Sequence, residues 1–181
     1  GMKVMEKVPY VIGLDKYFSS LDDEAKAYLK DFGAATASNG AVGLYHVENL
    51  TPEAVESGRS LIRENAPVYV IDDAELERVE KSYPVIWKDK SAKPKLAFIG
   101  CPHLSREQLF SWAKRIDEAL KKNGRSKVEI KTIMTAAPAV MEEFKKTEEA
   151  KRLLDEGVVL SHICPLMYLN NPKCGTMPVI T

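Results

Sequence analysis

"KLAFIGCPHLSREQLFSWAKRIDEALKKNGRSKVEIKTIM" (95–134) carries the reading that decides the fold. It begins with an apolar run of strand length, "KLAFIG" (95–100), and ends on a second β-branched run, "VEIKTIM" (128–134). Between them, Ser105 and Gln108 make a capping-box pattern ahead of Leu109, Ala113, Ile116 and Leu120, which are spaced by three and four. Asn123-Gly124 supplies the stop. Strand, helix and strand in succession are the signature of a mostly parallel sheet covered on both faces.

The same alternation extends outward. "VPYVIGL" (8–14), "AVGLYHV" (41–47), "APVYVID" (66–72) and "GVVLSHI" (157–163) read as strands, and "MPVIT" (177–181) is a further candidate. Thr51-Pro52-Glu53 reads as an N-cap with proline at the first helical position, which puts Ala54, Gly58, Leu61 and Ile62 on one face. Further helices are predicted over 22–36, 73–82 and 138–155, the last opening at Pro138 and closing at Gly157. The charged, proline-bounded "PVIWKDKSAKP" (84–94) interrupts the pattern and reads as a surface loop joining two halves. The expected fold is therefore α/β, a mostly parallel sheet flanked by helices. Residues 1–7 are taken as a tag scar, Gly1 ahead of Met2, with a short N-terminal extension. Residues 8–181 form the α/β domain, with a lobe boundary at the 84–94 loop. Two lobes and one continuous sheet both remain open.

Composition narrows the function classes. The 181 residues are 45% apolar and 29% charged, ordinary for a globular chain with a real core. Lys and Arg number 26 against 26 Asp and Glu, so there is no broad positive field to hold a phosphate backbone, and nucleic acid is a poor candidate partner. The apolar runs fall far short of the roughly 20 residues a spanning helix needs, so no membrane segment is expected. The start "GMKVMEK" has no secretory signal, and three cysteines in such a chain fit a reducing cytoplasm.

Sites in parallel α/β sheets form just past the carboxyl ends of strands. Three predicted strands deliver chemistry there: "KLAFIG" leads to Cys101-Pro102-His103, "GVVLSHI" to Cys164-Pro165, and "AVGLY" to His46. A free cysteine is most often a packing residue. Cys101 and Cys164, however, each precede a proline, which removes the next backbone donor and is expected to end the ladder, aiming both thiols at loops. The cysteines are separated by 63 and 10 residues, unlike the paired spacing of structural zinc sites. Three scattered thiols converging from separate loops better suit an iron–sulfur cluster or a single iron with one coordination position free.

"SNGAVGLYHVENLTPEA" (38–54), "LAFIGCPHLSREQL" (96–109) and "NNPKCGTMPVIT" (170–181) together resemble aconitase X, a family of hydro-lyases related to aconitase. It includes cis-3-hydroxy-L-proline dehydratases and archaeal mevalonate 5-phosphate dehydratases. The resemblance implies an aconitase-superfamily fold and removal of water from a small hydroxy acid. It also implies a [4Fe–4S] or [2Fe–2S] cluster, or a mononuclear iron, held by Cys101, Cys164 and Cys174. Aconitases proper place their last two ligands in a Cys-x-x-Cys pair, whereas here residue 167 is Met, so Cys174 is the departure from the pattern. The family further implies a region ahead of this chain and a small swivelling domain or subunit, which in aconitase supplies a catalytic serine. The stop at Thr181 then reads as a cut within a larger subunit, and the piece alone is expected to be inactive and able to lose its metal.

His46 and His103 are the candidate catalytic residues, to bond a substrate carboxylate or position a water; the alternative for each is an imidazole bonded to a loop carbonyl. His162, inside the predicted strand, reads as structural. Ser38 and Asn39, with Gly40, could bind an anionic substrate group or simply cap a helix. Asn170 and Asn171 suit a turn that orients the Cys174 loop. "MEEFKKTEEAKR" reads as a solvated helix face, and Trp87 and Trp112 as packing residues. Two rival functions stand beside the dehydratase. One is a non-catalytic α/β binding or interaction module with structural cysteines. The other, a nucleotide-binding domain, is weakened by the lack of a glycine-rich phosphate loop.

Overall fold

The computed structural model describes residues 5, 7–83, 89, 91–172 and 175–181, apart from the side chains at 166 and 169. The predicted packing role of Trp87 and the ligand role of Cys174 lie outside the described residues. The chain divides into two compact units, Gly1–Pro84 and Val85–Thr181.

Unit 2 is built on residues 95–134. Strand β3 (Leu96–Leu104) leads through helix α4 (Arg106–Lys122) to β4 (Lys131–Ala136). The capping box forms as the sequence predicts: the Gln108 N–H donates to Ser105 Oγ at 3.2 Å, and the Ser105 N–H donates to Gln108 Oε1 at 2.9 Å. At the other end the Arg125 N–H reaches the Leu120 carbonyl at 2.9 Å as Gly124 takes φ of 63°, closing the helix at the predicted stop. The chain continues through α5 (Pro138–Phe144), α6 (Glu148–Asp155), β5 (Val158–Ser161), α7 (Pro165–Leu169) and β6 (Val179–Ile180). All four strands run parallel in the order β5-β4-β3-β6.

Helices α4, α5 and α6 bury the core on one face of this sheet. Leu109 and Ala113 from α4, Met141 and Phe144 from α5, and Ala150 and Leu153 from α6 meet Met134, Val158 and Leu160. Phe110 packs edge-on against Phe144 at 5.2 Å. Each such large apolar side chain withdrawn from water contributes about 1.5–3 kcal/mol. On the opposite face Leu96, Phe98 and Ile133 are buried, with Tyr168 of α7 over Phe98 at 5.2 Å. Trp112 packs at the core edge as expected, its ring covered by the Arg115 guanidinium at 4.3 Å.

Unit 1 pairs β1 (Tyr10–Val11) in parallel with β2 (His46–Val47). Helix α1 (Asp23–Gly40), N-capped by Asp22, sets Leu29 against Val47 and Leu50. The Tyr45 hydroxyl donates to the Leu29 carbonyl at 2.7 Å. Helices α2 (Pro52–Ser57) and α3 (Asp73–Ser82) complete the unit.

Several expectations are corrected. "APVYVID" (66–72) is not a strand: Val68, Val70 and Ile71 are exposed, and strand propensity without a ladder or a packing partner forms no strand. The helix predicted over 138–155 is two, because Thr147 caps a new start by accepting the Ala150 N–H. The flanking charges still form a solvated face, with Lys146–Glu143 and Lys151–Glu148 ion pairs at 2.6 Å. Helix α2 stops before Gly58, where a short 3-10 turn follows, and the Thr51 hydroxyl turns back to accept the Val47 N–H at 2.9 Å instead of capping. Among the described residues no helix is long and apolar enough to cross a membrane.

One buried acid tests this packing. Glu156, at the end of α6, is 7% exposed and Asp117 of α4 lies beside it. Burial first, and the Asp117 charge second, raise the Glu156 carboxyl above the usual carboxylate range. Lys121, bonded to Asp117 at 2.8 Å, lowers the latter's. A raised folded-state value favours the protonated form. The stability linked to Glu156 is therefore complete below its unfolded value and is lost as pH climbs through the folded one. Glu156→Gln should raise Tm at pH 7 relative to the parent. The gain should vanish on the acid side of the carboxylate range, as followed by thermal melts across pH.

Candidate functional site

Two parallel ladders bring the carboxyl ends of β3, β4 and β5 to one edge of the sheet. Along β3 the register with β4 is regular up to Ile99↔Met134, and the next pair is Leu104↔Ala136. Gly100, Cys101, Pro102 and His103 are thus looped out as a bulge. The proline does not end the ladder here, as the sequence suggested; it sits in an interruption after which β3 rejoins β4. The Cys101–Pro102 peptide is cis.

Gly100 makes the bulge possible. Its φ is 120°, and a Cβ there would lie 2.4 Å from the Thr135 carbonyl oxygen and 2.6 Å from Thr135 Oγ1. The close approach lets the buried Thr135 hydroxyl donate to the Gly100 carbonyl at 2.7 Å. Cys101 is consequently held out from the sheet as an exposed free thiol. His103, two residues on, is half-buried within the same bulge.

Cys164 reaches the same sheet edge from β5. The strand ends at Ser161, whose Oγ accepts the Ile163 N–H at 3.1 Å and lies 3.2 Å from the Tyr168 hydroxyl. Cys164 follows that bend as a second exposed free thiol, immediately ahead of α7. His162 lies past the end of β5 and is exposed, so it is not the strand histidine expected. Asn170 and Asn171 are exposed; the Asn171 N–H donates to the Tyr168 carbonyl at 3.0 Å, and its own carbonyl accepts from Gly175 at 2.8 Å.

The other predicted site residues belong to unit 1. His46 opposes Tyr10 in the β1–β2 ladder, with its Nδ1 buried and 3.9 Å from Glu53 Oε2. That nitrogen makes no hydrogen bond among the described residues. Ser38 and Asn39 sit in the last turn of α1 with their polar groups turned onto their own helix, both donating to the Ala35 carbonyl, at 3.1 Å and 3.0 Å. Ala41, with φ of 51°, closes that helix.

Thiolates are the donors that suit an iron–sulfur cluster, and two exposed thiols lie past the carboxyl ends of β3 and β5. Among the described residues no group of three His, Cys, Asp or Glu side chains converges as a metal site, and Cys174 is not among those residues. Sequence reasoning named the thiols but missed Thr135 and Ser161. Their signal was a hydroxyl in the last two positions of a strand, which propensity alone does not separate from ordinary β composition.

A parallel α/β sheet with reactive side chains gathered past its carboxyl edge is the site architecture of α/β enzymes. The aconitase X second domain matches residues 1–81. The phosphomevalonate dehydratase large subunit of Thermococcus kodakarensis is 34% identical over 124 residues, 68% of this chain and 29% of that protein. Its Methanosarcina mazei counterpart is 40% identical over 96 residues, 53% of this chain and 21% of that protein. The crystal structure of Thermococcus kodakaraensis aconitase X in its holo-form superposes with a TM-score of 0.65 at 26% identity, over 89% of this chain and 36% of that one. The chain is similar to aconitase X proteins in both sequence and structure, and it spans less than a third of the length of these curated relatives.

The Gly100 contact gives a direct test. Gly100→Ala should cost roughly 1–3 kcal/mol through the strained φ and the collision with Thr135. Gly43→Ala, where a Cβ meets nothing within 4 Å, should stay within about 0.5 kcal/mol of the parent in urea melts.

Proposed function

We propose that this chain is part of an iron-dependent hydro-lyase that removes water from a small hydroxy acid, with Cys101 and Cys164 as iron ligands and Cys174 as the third. The observation that carries this reading is the delivery of two free, exposed thiols to one sheet edge by bends on separate strands. A cysteine kept only for packing would be buried. The chemistry iron supplies when bound is Lewis-acid polarisation of the departing hydroxyl, which needs no change of oxidation state. The centre is a [4Fe–4S] or [2Fe–2S] cluster or a lone iron.

The chain's own residues supply the rest. His103 stands in the same bulge as Cys101, within reach of a substrate bound at that edge, and acts there by bonding a carboxylate or holding a water. His46 has a buried nitrogen that makes no hydrogen bond among the described residues and a carboxylate at 3.9 Å, which suits an imidazole held ready for a substrate group. Ser38 and Asn39, bonded to Ala35, would have to exchange those bonds to meet substrate and are the weaker candidates.

The relatives are named as large subunits of phosphomevalonate dehydratase, which supports a phosphorylated hydroxy acid as substrate and a small subunit as partner. The test uses the complete large subunit with that small subunit, purified without oxygen. Iron and acid-labile sulfide should be present, and mevalonate 5-phosphate should be dehydrated. Cys101→Ser and Cys164→Ser should each abolish turnover and lower iron content. His46→Gln should lower kcat/KM by about 10²-fold or more with iron retained. A colourless, iron-free protein that leaves the substrate intact would mean a non-catalytic module instead.

A further inference from the structure

Each cysteine bend is tied at its base by a hydroxyl, and the two hydroxyls are neighbours. Thr135 on β4 donates to the Gly100 carbonyl at 2.7 Å, one residue ahead of Cys101. Ser161 at the end of β5 accepts the Ile163 N–H at 3.1 Å, one residue ahead of Cys164. Thr135 and Ser161 are register partners in the β4–β5 ladder, so their side chains share one face of the sheet. Both are buried, at 0% and 8% exposure.

Packing alone does not call for these residues. Valine at 135 would suit a central strand as well as threonine does, and the alternate residue on the same face is the apolar Ile133. A buried hydroxyl is unfavourable unless it is bonded, so its value here lies in the bond it makes. Both bonds go to backbone at the point where the chain leaves the sheet toward a thiol. Tyr168, whose hydroxyl meets Ser161 at 3.2 Å while its ring packs on Phe98, ties the second bend to the sheet again.

We propose that Thr135 and Ser161 are paired positioning residues: the first fixes the bend that presents Cys101, the second the bend that presents Cys164, and together they set the spacing of the two thiols. This rests on the reading of those thiols as iron ligands. Neither hydroxyl touches the reacting atoms; each acts through the backbone that carries a ligand.

The readout is the rate at which iodoacetamide alkylates each thiol, followed by peptide mass spectrometry on the reduced, iron-free 181-residue chain. Loss of one hydrogen bond should shift the thiol it serves by about fivefold. Thr135→Val should therefore change Cys101 and leave Cys164 at its parent rate. Ser161→Ala should do the reverse, while Thr135→Ser and Ser161→Thr should restore the parent pattern. Thr135→Ala serves as a second deletion that adds no methyl in place of the hydroxyl. A role in general stability would move both thiols together in every variant, and that outcome, or no change at either thiol, overturns the proposal.

Iron retention is then measured in the complete large subunit carrying the same substitutions. The deletions should retain less than half the parent iron, and Thr135→Ser should match the parent. If Cys101→Ala and Cys164→Ala keep full iron while the crossed alkylation pattern holds, the iron reading fails and the positioning of the thiols by the two hydroxyls stands.

Discussion

The approach of Gly100 to Thr135 is the constraint on which unit 2 depends. A parallel strand that loops out residues in mid-course has to rejoin its neighbour in a register that keeps its apolar side chains inward. Here β3 leaves β4 after Ile99 and returns at Leu104, which is buried against the same core as Met134 and Ala136. The backbone achieves this only because no Cβ stands between it and Thr135. The buried hydrogen bond between the two strands then replaces ladder bonds that the bulge gives up. The bulge that exposes Cys101 and the return of Leu104 to the core thus rest on one close contact.

The rest of the unit makes that contact rigid. The capped helix α4 returns the chain from β3 to β4 and brings Leu109 and Ala113 onto the sheet. Helices α5 and α6 cover the remainder of the same face through Phe144 and Leu153. A site on loops gains precision from the elements that anchor them. Cys101 and Cys164 are exposed, yet each lies within a few residues of a fully packed strand.

The fold was legible where local signals agreed. Ser105, Gln108 and Gly124 fixed α4, and the apolar runs at 95–100 and 157–163 located two of the sheet's strands, whereas the cap that starts α3, Asp72 accepting the Glu75 N–H, was read as the end of a strand. Legibility failed where tertiary partners decide. Residues 66–72 have a strand's composition but no ladder, and Thr147 divides a periodic segment whose hydrophobic spacing hides the break. Cys101 and Cys164 were visible because proline follows each of them, whereas Cys174 was singled out by the family resemblance. Thr135 and Ser161 were not visible, since the worth of a hydroxyl depends on which carbonyl or amide the fold brings to it.

The segment that failed to become a strand has a consequence of its own. Val68, Tyr69, Val70 and Ile71 form an uncharged, β-prone window open to water, the kind of sequence that stacks with copies of itself into cross-β ribbons. Asp72 and Asp73 follow it directly, and the Tyr69 hydroxyl is bonded to Glu75 on the next helix. Those acids flank the tetrapeptide with charge and tie it to the next helix, the gatekeeper arrangement that opposes such stacking.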